Sequence, residues 1–320
     1  MKLRVTERVV EAADIVSLRL ADPAGATLPA APPGAHVVLR LAEGLARQYS
    51  LCNGPGETAA FQIAVKREAA SRGGSEAVHR LAPGDAVEVS APVDRFPLDR
   101  HASHLVLLGG GIGITPLLSM AADATHRGQP CELHYFARDE ENVAFREKLS
   151  EDALAWCTRL HLGLDAAGTG ARLDELLKAA PAGAQVYACG PAPFIECARA
   201  LTAATAGLGE FHWESFSPAE GEPQPAHDAG SADGTFTVRL ARSGKVLRVE
   251  AGKSVLQVLQ ANGVMVDNSC MEGTCGLCAT RVLAGIPEHR DEVLTDKEKE
   301  AGDMCLCVSR SRTEEIVLDL

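Results

Sequence analysis

Cys270, Cys275 and Cys278 stand in a C-x4-C-x2-C pattern, and Cys305 and Cys307 follow about 28 residues further on. That spacing is what a loop needs to wrap a [2Fe–2S] cluster, with three thiolates from one tight turn and a fourth from a distant segment. Gly273 and Gly276 let such a loop curl and bring backbone N–H groups toward the sulfurs. Spacing alone leaves both Cys305 and Cys307 open as the fourth ligand. Zinc fits less well, because only Cys275-x2-Cys278 forms a knuckle, and a Rieske centre needs histidines that the loop lacks. Packing is a poor account of five of the ten cysteines gathered among glycines between residues 270 and 307.

A second group of residues suits a dinucleotide. The turn Gly109-Gly110-Gly111-Ile112-Gly113-Ile114-Thr115-Pro116 follows the apolar run Leu105–Leu108 and opens a helical stretch from Pro116 to about Arg127. Thr115 suits the N-cap and Pro116 the first helical position, and the N–H groups along Gly111–Pro116 suit a pyrophosphate. The pattern is G-x-G-x-x-P rather than the full dinucleotide fingerprint, so its weight rests on the strand–turn–helix context. Asp139 falls just past the next predicted strand, where a carboxylate bonds a ribose 2′-hydroxyl. Arg138 stands beside it, but no Lys/Arg cluster does, so the reading is NADH rather than NADPH. Cys189-Gly190-Pro191 ends another predicted strand, at the side of an open α/β sheet where ligands bind. Taken alone, Cys189 reads as a small buried apolar residue.

A third group suits a flat ring and a phosphate. Arg47-Gln48-Tyr49-Ser50 lies in a predicted strand, where an aromatic packs on a ring and Arg and Ser bind phosphate or a ring carbonyl. Arg72-Gly73-Gly74-Ser75 offers backbone N–H groups, a hydroxyl and a guanidinium, with Lys66 nearby in sequence. On composition alone an ordinary strand and loop account for these residues.

The elements that position these groups fall into three segments. Residues 1–100 alternate short β-like runs with Gly/Pro turns, which predicts a small antiparallel barrel. Residues 101–217 alternate strands with helices, including one at about 141–151, which predicts a parallel sheet covered on both faces. Residues 218–234, PAEGEPQPAHDAGSADG, read as a linker, and 235–320 as a small α+β domain opening on a hairpin around Ser243-Gly244. The net charge of −12, with no basic run, argues against nucleic-acid binding. The N-terminus carries no signal-peptide pattern and no apolar run reaches membrane-spanning length, so the expectation is a soluble, cytoplasmic protein. The ten histidines are scattered, with no local two-His-one-carboxylate set for oxygen activation.

Taken together, RQYSLCN (47–53), IAVKR (63–67), RGGS (72–75), GGGIGITP (109–116), CGP (189–191), HWESF (212–216), CMEGTCGLC (270–278) and CVSR (307–310) make the chain resemble the phthalate dioxygenase reductase family, which includes vanillate demethylase reductases. The resemblance covers essentially the whole length. It implies an antiparallel flavin barrel, an α/β Rossmann-like NADH domain and a β-grasp ferredoxin domain, in that order. It implies FMN rather than FAD, held by Arg47, Tyr49, Ser50, Lys66, Gly74 and Ser75. It implies NADH along Gly111, Gly113, Thr115, Pro116 and Asp139, with Cys189 near the nicotinamide and Phe216 by the flavin ring. Ser50, Cys189 and Phe216 are the expected catalytic residues. It favours Cys307 over Cys305 as the fourth cluster ligand, since Cys307-Val308-Ser309 matches the strand carrying the last ligand in plant-type ferredoxins. Trp213 and Cys305 depart from the family pattern. The implied activity is hydride transfer from NADH to FMN, then single electrons through the [2Fe–2S] cluster to a separate Rieske-type aromatic oxygenase or O-demethylase. That partner is expected to dock transiently on a monomer, near Met271 and Glu272. The acidic stretch Glu288–Asp303 is open to two readings, a steering patch for a basic partner or a solvated helix face. The competing functions are an FAD-containing reductase of another oxygenase class and a non-catalytic redox-sensing iron–sulfur flavoprotein.

Overall fold

The computed structural model describes residues 1–42, 45–69, 71, 73–216, 234–268, 270, 271, 273 and 275–320. Arg72, Glu272 and all of the expected linker except Gly234 lie outside the described residues. The chain divides into two compact units, Met1–Leu41 with Gln48–Ser217 and Ala42–Arg47 with Pro218–Leu320.

The first sheet contains β1 (Lys2–Ala12), β2 (Ile15–Ala21), β3 (His36–Ala42), β4 (Leu45–Ser50), β5 (Phe61–Lys66) and β6 (Ala86–Val89), in the order β4-β3-β6-β1-β2-β5. The short helix α1 (Gly74–Arg80) precedes β6. Leu3 and Val5 point inward between exposed Lys2 and Arg4, the period-two pattern of a half-buried strand. Past β4, Leu51 bridges to Ile63 of β5 and the Cys52 N–H donates to the Gln62 carbonyl at 2.8 Å. This joins the two ends of the sheet and makes it a barrel, filled by Leu18, Leu20, Leu39, Phe61 and Ile63.

The second sheet is parallel, in the order β11-β10-β7-β8-β9. Its elements in chain order are β7 (Leu105–Gly110), α2 (Ile114–His126), β8 (Cys131–Ala137), α3 (Arg146–Ser150), α4 (Asp152–Ala155), β9 (Thr158–Leu162), α5 (Ala166–Ala179), β10 (Gln185–Gly190), α6 (Ala192–Ala204) and β11 (Phe211–Ser215). All six residues of β7 are buried, as a strand covered on both faces requires. From β7 the chain first moves to β8 on one side and later returns to β10 on the other. The crevice beyond the C-terminal ends of β7 and β10 is therefore the switch point at which such sheets bind ligands.

The helix expected at 141–151 is shorter than its sequence suggests. Glu140–Asn142 form a single 3-10 turn, and regular helix resumes only at Arg146. Between them Val143, Ala144 and Phe145 turn inward, and Phe145 takes a left-handed φ of 56°, so burial overrides helix continuation.

Barrel and parallel sheet share a core. Ile15, Cys52, Ala64 and Phe96 pack in one cluster with Ile114, Leu117 and Met120 of α2. The Gly34 N–H donates to Ser119 Oγ at 3.0 Å, the Phe145 N–H to Glu11 Oε2 at 3.2 Å, and Lys148 Nζ to the Cys52 carbonyl at 2.9 Å.

The second unit carries β12 (Phe236–Leu240), β13 (Val246–Val249), α7 (Val255–Ala261), β14 (Ala279–Ala284), β15 (Pro287–Glu288), α8 (Asp296–Glu300), β16 (Asp303–Cys305), β17 (Arg310–Ser311) and β18 (Glu315–Leu318). β12 and β13 form the hairpin that the alternating runs predict. β12 runs parallel to β18, and the order β13-β12-β18-β14-β16 is that of a β-grasp sheet. Helix α7 starts on a capping box, Ser254 with Gln257, and buries Val255, Leu256 and Leu259 in the core beneath the sheet.

Candidate active site

The cysteine loop lies just before β14. Cys278 is buried at the foot of that strand, and Cys270 and Cys275 are half-buried. Cys305 ends β16 opposite Ala279 of β14. Cys307, expected on a strand, sits instead in a turn closed by the Val308 and Ser309 N–H groups on the Cys305 carbonyl, at 3.4 and 3.0 Å. β16 is only three residues long, and the turn after it brings Cys307 back to the loop. The thiols converge: Cys278 is hydrogen-bonded to Cys305 and Cys307, Cys307 also to Cys270, and Cys275 to Cys270. Protons donated by Cys305 and Cys307 pull the Cys278 thiol down to about 4. Their own thiols are pushed up by holding those protons, Cys307 through Cys270 first and Cys305 through Cys278 first.

Five thiols gathered by hydrogen bonds suit a cluster that takes four of them as thiolates. Cys307 hydrogen-bonds both Cys270 and Cys278, and Cys305 hydrogen-bonds Cys278. Among the described residues no three His, Cys, Asp or Glu surround the position of a single metal ion, and a two-iron cluster spreads its thiolates wider than one ion does.

The loop depends on Gly273, which has φ +73° and whose missing Cβ would lie 2.6 Å from Val308 Cγ2 and 2.9 Å from Asp291 Cα. Met271 takes φ 70°, a conformation side chains seldom adopt and one that gathers at functional sites. It is half-buried against the core rather than a fully exposed edge. Behind the loop Asp291 is buried, accepting from the Leu294 N–H and Ser309 Oγ, each at 3.1 Å. Sequence reading missed Asp291 because it stands in an acid-rich run whose other acids in α8 are unburied.

In the first unit the glycine turn occupies the switch-point crevice. Gly111 has φ +55°, Gly111–Gly113 form a 3-10 turn, and α2 begins at Ile114. Thr115 is therefore not the N-cap. Gly113 holds that position, because the 3-10 turn runs directly into the helix, and Thr115 Oγ1 donates back to the Ile112 carbonyl at 3.0 Å. Pro116 remains within the first helical turn, where its missing N–H costs nothing. Asp139 is exposed one turn past β8 and caps Glu140–Asn142, its Oδ1 accepting from the Asn142 N–H at 3.1 Å and Nδ2 at 2.7 Å. The Asn142 amide holds this carboxyl below its usual range, so it stays ionised.

Cys189, the residue before the last of β10, is fully buried, and burial pushes its thiol well up, with the nearby Glu214 adding to the effect. Its parallel-register partner on β11 is Glu214. Burial raises the Glu214 carboxyl to about 7, and Ser50 Oγ donates to its Oε2 at 3.5 Å. Ser50, Cys189 and Glu214 thus meet at one point. Glu214 was not picked out from sequence, since only the pairing of β10 with β11 brings it to Cys189. Phe216 follows β11 and is 42% exposed.

The remaining predicted residues are less gathered. Tyr49 is half-buried, and Arg47 Nη1 donates to the Ala46 carbonyl at 2.8 Å. Lys66 is exposed, 3.9 Å from Glu68. Gly74 is buried at the start of α1, and Ser75 Oγ accepts from the Glu68 N–H at 3.1 Å and donates to Ser71 Oγ at 3.0 Å.

Residues 238–312 match the 2Fe-2S iron–sulfur cluster binding domain, and residues 107–200 the oxidoreductase NAD-binding domain. The chain is 38% identical to the phthalate dioxygenase reductase of Burkholderia cepacia over 325 residues, covering 100% of this chain and 97% of that one. It belongs to the phthalate dioxygenase reductase family. A second family relative is the phenoxybenzoate dioxygenase subunit beta of Ectopseudomonas oleovorans, 42% identical with 100% and 97% covered. A solved structure of phthalate dioxygenase reductase, described as modular for electron transfer from pyridine nucleotides to [2Fe–2S], superposes with a TM-score of 0.71 at 37% identity, covering 100% and 98%. As a member of this family the chain is an NADH-dependent iron–sulfur flavoprotein reductase that uses FMN and a [2Fe–2S] cluster. No helix among the described residues is long and apolar enough to cross a membrane.

Proposed function

We propose that this chain reduces a Rieske-type aromatic-ring dioxygenase or O-demethylase, acting in the cytoplasm as a monomer that docks transiently. The observation that carries this reading is the presence of a switch-point glycine turn and a converging thiol loop on a chain that relatives from such systems match end to end. When bound, NADH supplies two electrons as a hydride, FMN accepts the pair and releases electrons singly, and the cluster carries them one at a time.

Cys270, Cys275, Cys278 and Cys307 would hold the cluster. Arg47, Tyr49, Ser50, Lys66, Gly74 and Ser75 would hold FMN. The turn Gly111–Pro116 offers its N–H groups to the NADH pyrophosphate, and ionised Asp139 accepts from a ribose hydroxyl. Cys189 lines the nicotinamide position without ionising, because burial keeps its thiol protonated. Phe216 is free to move aside because it lies largely outside the core. Glu214 keeps a carboxyl proton up to about pH 7, which lets it anchor Ser50 without placing a charge beside the reacting rings.

The test is an anaerobic NADH titration of the purified holoprotein followed in the visible spectrum. Bleaching of both a flavin band and an iron–sulfur band is expected. Bleaching of the flavin alone would favour the redox-sensing alternative. Cys275→Ser should lose the cluster yet keep NADH–ferricyanide turnover by the flavin, and loss of both would overturn the assignment of separate sites.

A further inference from the structure

Away from the nucleotide crevice, the N-terminal end of β8 and the turn before β9 bound a cavity of about 670 Å³. Cys131 and Cys157 both line it, together with His104, His134, Arg159 and Arg172. Of the five cysteines outside 270–307, these two touch. Each is only 2% exposed, both belong to the same core cluster, and the Cys157 thiol accepts a hydrogen bond from that of Cys131. The backbone holds them in place, with the Leu133 N–H donating to the Cys157 carbonyl at 2.9 Å and Leu133 paired with Thr158 in the adjoining strand register. Cys157 precedes β9, so strand alternation does not turn its side chain away from Cys131.

We propose that Cys131 and Cys157 are a peroxide-responsive thiol pair that closes to a reversible intrachain disulfide. The Cys131 hydrogen bond lowers the Cys157 thiol to about 7, which makes Cys157 the attacking sulfur, while Cys131 keeps its proton. Hydrogen peroxide is small enough to reach it through the cavity. The Cys157 thiolate attacks one peroxide oxygen, the O–O bond breaks, and sulfenic acid and hydroxide form. The Cys131 sulfur then displaces hydroxide from that sulfenic acid, and the protons of Cys157 and Cys131 convert the two released hydroxides into two waters. Two thiols and one peroxide give one disulfide and two waters, and a dithiol reductant reverses the step.

The test treats the full-length holoprotein with hydrogen peroxide, alkylates free thiols, digests without reductant and maps the peptides by mass spectrometry. A peptide joining Cys131 to Cys157, abolished by dithiothreitol, is expected. Cys131→Ser should remove that crosslink and leave Cys157 trapped by dimedone as the sulfenic acid. Unchanged NADH–ferricyanide turnover before oxidation will show that this variant is folded. Recovery of both thiols alkylated, while half-buried Cys197 is oxidised, would overturn the proposal. So would dimedone capture at Cys131 rather than Cys157.

Discussion

Gly113→Ala probes the meeting of helix and strand on which the nucleotide crevice depends. An added Cβ would lie 2.2 Å from the Cys189 carbonyl oxygen, 2.3 Å from its carbon and 2.6 Å from the Gly190 nitrogen. All three are backbone atoms of β10, so no side chain can swing aside. Real Cβ contacts do not fall below 3.0 Å, so the start of α2 and the end of β10 must separate by about 0.8 Å. Overpacking of this kind costs about 1–3 kcal/mol of stability. Misplacing groups by about 1 Å at a reacting centre costs roughly 100-fold in rate. The variant should therefore lower kcat/KM for NADH by roughly 100-fold in the ferricyanide assay and lower the urea midpoint. Its iron content should stay normal, because the thiol loop belongs to the other unit. Unchanged NADH kinetics and an unchanged midpoint would refute the argument that close backbone approach, rather than chance, put glycine at this position.

Glu214 gives a pH signature: the folded chain keeps its carboxyl protonated to about pH 7 while the unfolded chain ionises it near 4.5, so its stabilisation is complete below 4.5 and is lost as pH rises through 7. Glu214→Gln, always neutral, should flatten that decline in urea midpoints between pH 5 and 8, and equal slopes in both proteins would count against a buried neutral carboxyl. Gly273→Ala forces a side chain into a left-handed residue against Val308 and Asp291, at a cost of about 1–3 kcal/mol, and should lower bound iron several-fold while sparing NADH–ferricyanide turnover. A normal iron-to-protein ratio would show that the loop has room there. Asp139→Ala should narrow the preference for NADH over NADPH by about tenfold, the worth of one charge-assisted hydrogen bond, and an unchanged ratio of kcat/KM values would remove Asp139 from ribose recognition.

Features written in local spacing were legible in the sequence. The C-x4-C-x2-C loop, the glycine turn after an apolar run and the hairpin around Ser243-Gly244 are all local, and the buried strand before the turn and the paired strands of the hairpin form as the pattern predicts. What depends on distant pairing was not legible. Glu214 matters because β11 pairs with β10 in a register that sets it beside Cys189, and nothing within HWESF encodes that register. Asp291 looked like one acid among many until tertiary packing enclosed it. Boundaries failed where competing local rules apply. Thr115 is a good N-cap type, but the 3-10 turn before it starts the helix two residues earlier. The chain through Val143–Phe145 gives up helix to fill the core.

The core shared by the barrel and the parallel sheet limits how this protein can recombine with its relatives. Exchange of segments between such proteins succeeds where few side chains were selected to fit across the junction. A crossover near residue 100 would set Phe96 and Ile15 from one parent against Leu117 and Met120 from another, leaving gaps and overlaps in a core that tolerates neither. A crossover at the Ser217–Pro218 division would leave that core whole. The barrel and the parallel sheet would therefore have to be exchanged as one piece.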